Sequence, residues 1–101
     1  MSALQFFDAV ASGAHPAAEV PLRQWHKVAI HASWRNLIEV REQFPHADAV
    51  AVRSGSVATV FNIAGNKYRL ITRIEYHRHK VYVKAVLTHA EYSRDQWKKR
   101  L

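Results

Sequence analysis

The chain has 101 residues, 49% of them hydrophobic, and 15 Lys+Arg against 8 Asp+Glu give it a net charge of +7. This is one domain's length with apolar content enough for a packed core, which excludes a disordered basic tail. The absence of cysteine excludes a disulfide scaffold, a thiolate zinc site and a cysteine nucleophile. No apolar run approaches the roughly 18 residues of a membrane span. The opening Met1–Asp8 lacks the basic and long apolar regions of a secretory signal. The expectation is a single cytoplasmic domain over residues 1–101 with no membrane partner.

The charge is unevenly distributed. Residues 1–50 carry four basic and five acidic side chains, whereas residues 51–101 carry eleven basic and three acidic. All of the excess positive charge lies in the second half. Such asymmetry suits either a surface that faces a polyanion or a solubilising face.

In chain order, Leu4-Gln5-Phe6-Phe7 reads either as a short strand or as the first turns of a helix running to Ser12. Gly13 and Pro16 belong to a connection. From Pro21 to His31, Leu22, Trp25, Val28 and Ala29 recur on one helical face, with Pro21 suited to the first turn. Ser33 can cap a second helix whose stripe is Trp34, Leu37, Val40 and Phe44, and Pro45 ends it. The period then changes. Ala49–Val52 is a short apolar run, Arg53–Ser56 a turn, and the β-branched Val57–Ile63 a strand. Ala64-Gly65-Asn66 supplies a hairpin loop in which Gly65 or Asn66 can take positive φ. Tyr68–Tyr76 and Val81–Leu87 are strands separated by the polar turn His77–Lys80. The fold class is α+β, with two N-terminal helices packed on an antiparallel meander and a short C-terminal helix.

Strand alternation sorts the side chains. A one-sided core takes Leu70 and Ile74 with Val83, Ala85 and Leu87 and leaves Lys67, Arg69, Arg73 and Lys84 on the other face. After the last strand, Thr88-His89-Ala90-Glu91 fits a capping box, which predicts a helix from His89 through Tyr92 to Trp97. Its end, Lys98-Lys99-Arg100, suits a helix C-terminus or an RNA backbone.

The run Val60-Phe61-Asn62-Ile63-Ala64-Gly65-Asn66-Lys67-Tyr68-Arg69-Leu70-Ile71 resembles the HigB toxins of bacterial toxin–antitoxin modules, within the RelE-like ribonuclease superfamily. Val81–Tyr92 is similar to the same family's C-terminal signature, and Pro21–Trp25, Trp34 and Phe44–Asp48 to its helical part. Two positions depart from the pattern: Met1–His15 does not align with the family's opening basic strand, and Ser93 stands where the family has Asp. The resemblance implies the RelE-like fold and metal-independent cleavage of mRNA, often on the ribosome. It also implies a cognate HigA-like helix-turn-helix antitoxin. Carried over by position, it places Arg69, Lys84, His89 and Tyr92 at the catalytic positions and Asn66 in the signature's hairpin.

Attack of an RNA 2′-OH on the adjacent phosphorus needs a base, an acid and cations for the phosphorane, and yields 2′,3′-cyclic phosphate and 5′-OH ends. In that chemistry His89 serves as base or acid, Arg69 and Lys84 stabilise the equatorial oxygens, and Tyr92 positions or donates a proton. Lys67, Arg73 and Asn66 hold flanking phosphates, and Lys98 and Lys99 the RNA backbone. The rival reading is a non-catalytic RNA- or ribosome-binding domain using the same face, with aromatics interleaved among cations for stacking. A metal site at His77 and His79 lacks a third ligand and lies beside Arg78 and Lys80, so neither a metal nor a cofactor is expected.

Overall fold

The computed structural model describes residues 16–101 and, as backbone alone, residues 2–4. After a 3₁₀ turn at Pro16–Ala18, helix α1 runs Glu19–His31. Its buried stripe is Leu22, Trp25 and Ala29, while Val28, expected on that stripe, is 36% exposed. Pro21 sits in the first turn, where its missing N–H leaves no intrahelical bond unmade.

Helix α2 (Leu37–Gln43) starts later than a cap at Ser33 predicts. Asn36 is the N-cap: its side chain accepts the Glu39 N–H at 3.1 Å. The Glu39 carboxylate in turn accepts the Arg35 N–H at 2.9 Å and pairs with the Arg35 guanidinium at 2.7 Å. That side-chain hydrogen bond holds the Glu39 carboxyl below its ordinary range. Asn at the cap with Glu three residues on satisfies two backbone donors, which Ser33 cannot do. Trp34 therefore precedes the helix, buried, with its Nε1 donating to Gln43 Oε1 at 2.8 Å.

Strands β2 (Asp48–Ala51), β3 (Val57–Ile63), β4 (Tyr68–Glu75) and β5 (Lys80–Thr88) form the expected antiparallel meander. Strand β1 (Ser2–Leu4) adds to its edge, parallel to β5, giving the order β1-β5-β4-β3-β2. The rest of the ambiguous opening, Gln5-Phe6-Phe7 and the alternative helix to Ser12, lies outside the described residues. In the β3–β4 loop positive φ falls on Ala64 (54°) and Gly65 (67°) rather than on Asn66.

The largest departure from simple alternation is in β5. Ile71 pairs with Ala85 and Thr72 with Val83, so Lys84 is an extra residue, a β-bulge. The bulge shifts the phase of the strand. Val81, Val83 and Val86 face the helices, whereas Ala85 and Leu87, expected in that core, pack on the opposite face.

Each face consequently has its own core. On the helical side the Phe61 ring is fully buried against Trp25 (5.4 Å, edge), Trp34 (6.1 Å, stacked) and Phe44 (5.2 Å, edge). On the other side Val52, Ala58, Val60 and Ile71 are covered by Trp97 from the C-terminal segment. To reach them the chain ends helix α3 at His89–Ser93, turns through Asp95 (φ 59°) and continues as a 3₁₀ turn at Gln96–Lys99. The single helix expected to Trp97 is thus broken because Trp97 must swing onto the sheet. The Arg53 N–H donates to the Lys98 carbonyl at 3.1 Å, tying this segment to the β2–β3 turn.

Phe61→Ala is expected to cost about 3–5 kcal/mol in urea unfolding, through lost burial and the cavity left behind. Deleting Lys84 should abolish cooperative unfolding, because it removes the bulge and reverses the facing of half of β5. Lys84→Ala, which keeps the residue count, should change stability by no more than about 0.5 kcal/mol.

Candidate functional site

Arg69 lies near the start of β4, paired across to Asn62 on β3 and Leu87 on β5, and is only 9% exposed. Its Nη1 donates to the Asn66 and Tyr68 carbonyls, both at 3.3 Å, and its Nη2 to Asn66 Oδ1. The Asn66 side chain, expected to contact RNA, holds the guanidinium. Arg69 Cζ sits 5.5 Å from the centroid of the Tyr92 ring. Tyr92 stacks on Trp97 at 5.3 Å and 20°, and Lys98 Nζ lies 5.8 Å from the Trp97 ring. The Trp97 indole N–H donates to the Tyr92 carbonyl at 3.1 Å, which fixes the stack. Cations at both ends of two stacked rings gain from the ring quadrupoles.

Helix α3 brings the next residue into place. The Thr88 hydroxyl accepts the Glu91 N–H at 3.1 Å and the Glu91 carboxylate accepts the Thr88 N–H at 2.9 Å, the capping box read from the sequence. His89 is therefore the first helical residue, with an exposed side chain. Its backbone N–H donates to the Lys67 carbonyl at 3.1 Å, clamping the helix start against the β3–β4 loop. The Ser93 hydroxyl donates to the His89 carbonyl at 2.8 Å. Asn66, Lys67, Arg69, His89 and Tyr92 are thus gathered at one end of the sheet.

Lys84 and Arg73 are not part of that cluster. Lys84 stands on the bulge, three residues along β5 from the partner of Arg69 and roughly 10 Å away at strand spacing. Its Nζ lies 5.6 Å from the Tyr82 ring. With Arg73 and Arg100 it lines a cleft of about 230 Å³ that none of Arg69, His89 and Tyr92 lines. The sequence marks Arg100 as part of a basic run and Trp97 as one aromatic among several, but shows neither the place of Arg100 in that cleft nor the stack of Trp97 behind Tyr92. The only signals were the basic run Lys98-Lys99-Arg100 and a lone Trp after the last strand.

The local acids leave this surface positive. Glu75 pairs with Arg73 (3.7 Å) and Arg78 (3.6 Å), and Asp95 with Lys98 (3.1 Å). Among the described residues no ion pair involves Lys67, Arg69 or Lys84. Arg69 is enclosed with neutral acceptors and an aromatic ring, and a guanidinium keeps its positive charge and its fork of donors in such a setting. Among the described residues there is no group of three or more His, Cys, Asp or Glu arranged to hold a metal ion, and no helix long and apolar enough to cross a membrane.

Compared with known proteins, the chain has no significant match among curated sequences. A family profile described as HigB_toxin, the RelE-like toxic component of a toxin–antitoxin system, matches residues 18–95. That span runs from the 3₁₀ turn before α1, through β2–β5 and both clusters of the cationic face except Arg100 and the Lys98-Lys99 pair, to the Asp95 turn after α3. By this match over more than three-quarters of its length, the chain belongs to the HigB toxin family, the RelE-like toxic component of a toxin–antitoxin system.

Proposed function

We propose that this HigB-family toxin is an endoribonuclease that cuts mRNA on the ribosome, without a metal ion, and so stops translation in the cytoplasm. The observation that carries the reading is the Arg69 guanidinium, free of any carboxylate among the described residues and 5.5 Å from the Tyr92 ring, with His89 opening the same helix.

The reaction forms a bond from the RNA 2′-oxygen to phosphorus and breaks the bond from phosphorus to the 5′-oxygen. One proton leaves the 2′-hydroxyl and one reaches the departing 5′-oxygen, giving 2′,3′-cyclic phosphate and 5′-OH ends. His89 carries one of these transfers, and Tyr92 donates the other proton or orients the phosphate. Arg69 neutralises the equatorial oxygens, for which a planar fork of donors suits two oxygens at once. Lys84 adds a second cation for the RNA phosphates, farther along the strand. Lys67, Asn66 and Arg73 hold flanking phosphates, and Lys98 and Lys99 extend the track.

As the toxic half of a toxin–antitoxin pair, the chain has an antitoxin as counterpart. We infer a HigA-like helix-turn-helix protein whose acidic side chains cover Arg69 and Lys84, because an unneutralised cationic face is best matched by opposite charge. A short helix-turn-helix protein encoded beside this chain is the expected genomic finding.

On ribosome-bound mRNA, Arg69→Ala is expected to lower the cleavage rate by about 10²–10³-fold, as loss of a transition-state donor does. His89→Ala should lower it by about 10²–10⁴-fold, the usual contribution of a positioned acid or base. Urea midpoints near the parent's would show that both variants are folded. End-group analysis of the parent's product should find 2′,3′-cyclic phosphate and 5′-OH ends. RNA that stays intact under conditions of tight, salt-sensitive binding would instead favour a non-catalytic RNA- or ribosome-binding domain.

A further inference from the structure

The cleft beside the Lys84 bulge has the chemistry of a second binding site. Its rim carries Arg73, Lys84 and Arg100 with the hydroxyl-bearing Ser54 and Ser56, and its lining contains no acidic residue. Val52, Ala58 and Leu101 give it an apolar floor. Arg73 is half exposed and its ion pair with Glu75 is long, at 3.7 Å, and shared with Arg78, so its charge is only loosely engaged. At about 230 Å³ the cleft is smaller than the roughly 300–1,000 Å³ of sites for drug-sized molecules, a size that suits part of a chain rather than a free cofactor. Five parts of the chain build it: the β2–β3 turn, the start of β3, the middle of β4, the bulged β5 and the C-terminal segment held by the Arg53–Lys98 backbone bond.

We propose that this cleft is a subsite for one nucleotide of single-stranded RNA flanking the scissile bond, with its sugar or base on the apolar floor and its phosphodiester between Lys84, Arg73 and Arg100. The inference rests on the RNA reading given above and gives Lys84 a different task from Arg69: it positions substrate roughly 10 Å along the sheet from Arg69. Ordering the strand on both sites at once favours cleavage of an extended backbone over that of a short fragment.

The test uses an uncleavable oligonucleotide in which 2′-hydroxyls are replaced by hydrogen, so that binding is read without catalysis. Arg73→Gln/Lys84→Gln/Arg100→Gln should bind about tenfold more weakly than the parent, the loss of one charge-assisted phosphate contact. The slope of log affinity against log salt should shrink by about 0.7, the value for one single-strand phosphate. Shortening the oligonucleotide past the subsite should weaken the parent and leave the triple variant unaffected. Arg100→Gln alone, at an exposed position, should show the same length dependence if the triple variant folds poorly. Equal affinities and slopes for parent and variants would overturn the subsite, as would a loss that is the same for every oligonucleotide length. A triple variant that cleaves mRNA with unchanged KM would also overturn it while leaving the ribonuclease reading intact. Length-dependent binding by a protein that cuts no RNA would sustain the subsite and sink the ribonuclease.

Discussion

One inserted residue determines how this sheet serves two cores. Without the bulge at Lys84, β5 would present Val81, Val83, Ala85 and Leu87 to the helices, and Tyr82, Lys84, Val86 and Thr88 to the side that Trp97 covers. With it, the N-terminal part of the strand closes the core around Phe61, while Ala85 and Leu87 join the smaller cluster under the C-terminal segment. The central strand β4 is covered on both faces: Leu70 on one and Ile71 on the other are each fully buried. A sheet built in this way can hold a cationic surface and still be packed beneath it. The side chains that surround Arg69 are positioned by a hydrophobic core rather than by loops alone.

The same arrangement holds Arg69 on several sides. Its guanidinium is fixed from below by the hairpin carbonyls and the Asn66 amide, and from the side by Tyr92, which is itself seated on Trp97. The His89 backbone bond to Lys67 joins the hairpin to the helix start. Charge and packing are combined in a single column of side chains.

Much of this was legible in the sequence. The β-branched run Val57–Ile63, the Gly65 hairpin, the Thr88–Glu91 capping box and the charge of the second half each carry a local chemical signature, and each corresponds to an element of the structure. The bulge carries none, since Lys84 is an ordinary residue in an ordinary strand pattern and only pairing with β4 shows that it is extra. The cap of α2 was misread because Ser33 and Asn36 are both good N-caps, and the choice between them depends on Glu39 and on where Trp34 is buried. The grouping of cations was also beyond the sequence. Strand alternation placed Arg69, Arg73 and Lys84 on one face, but separation along the strands divides them into two neighbourhoods.

Enclosing Arg69 without a carboxylate has a thermodynamic consequence. A guanidinium withdrawn from water and given only neutral partners leaves part of its solvation loss unbalanced, so the unliganded fold carries a local deficit. An anion that bound Arg69 only in the folded protein would offset that deficit and raise the unfolding free energy by about 2.7 kcal/mol at a hundredfold excess over its Kd. Occupancy of this one charge would therefore couple the lifetime of the molecule to the company it keeps. With such an anion in place the fold would resist unfolding longer than without it.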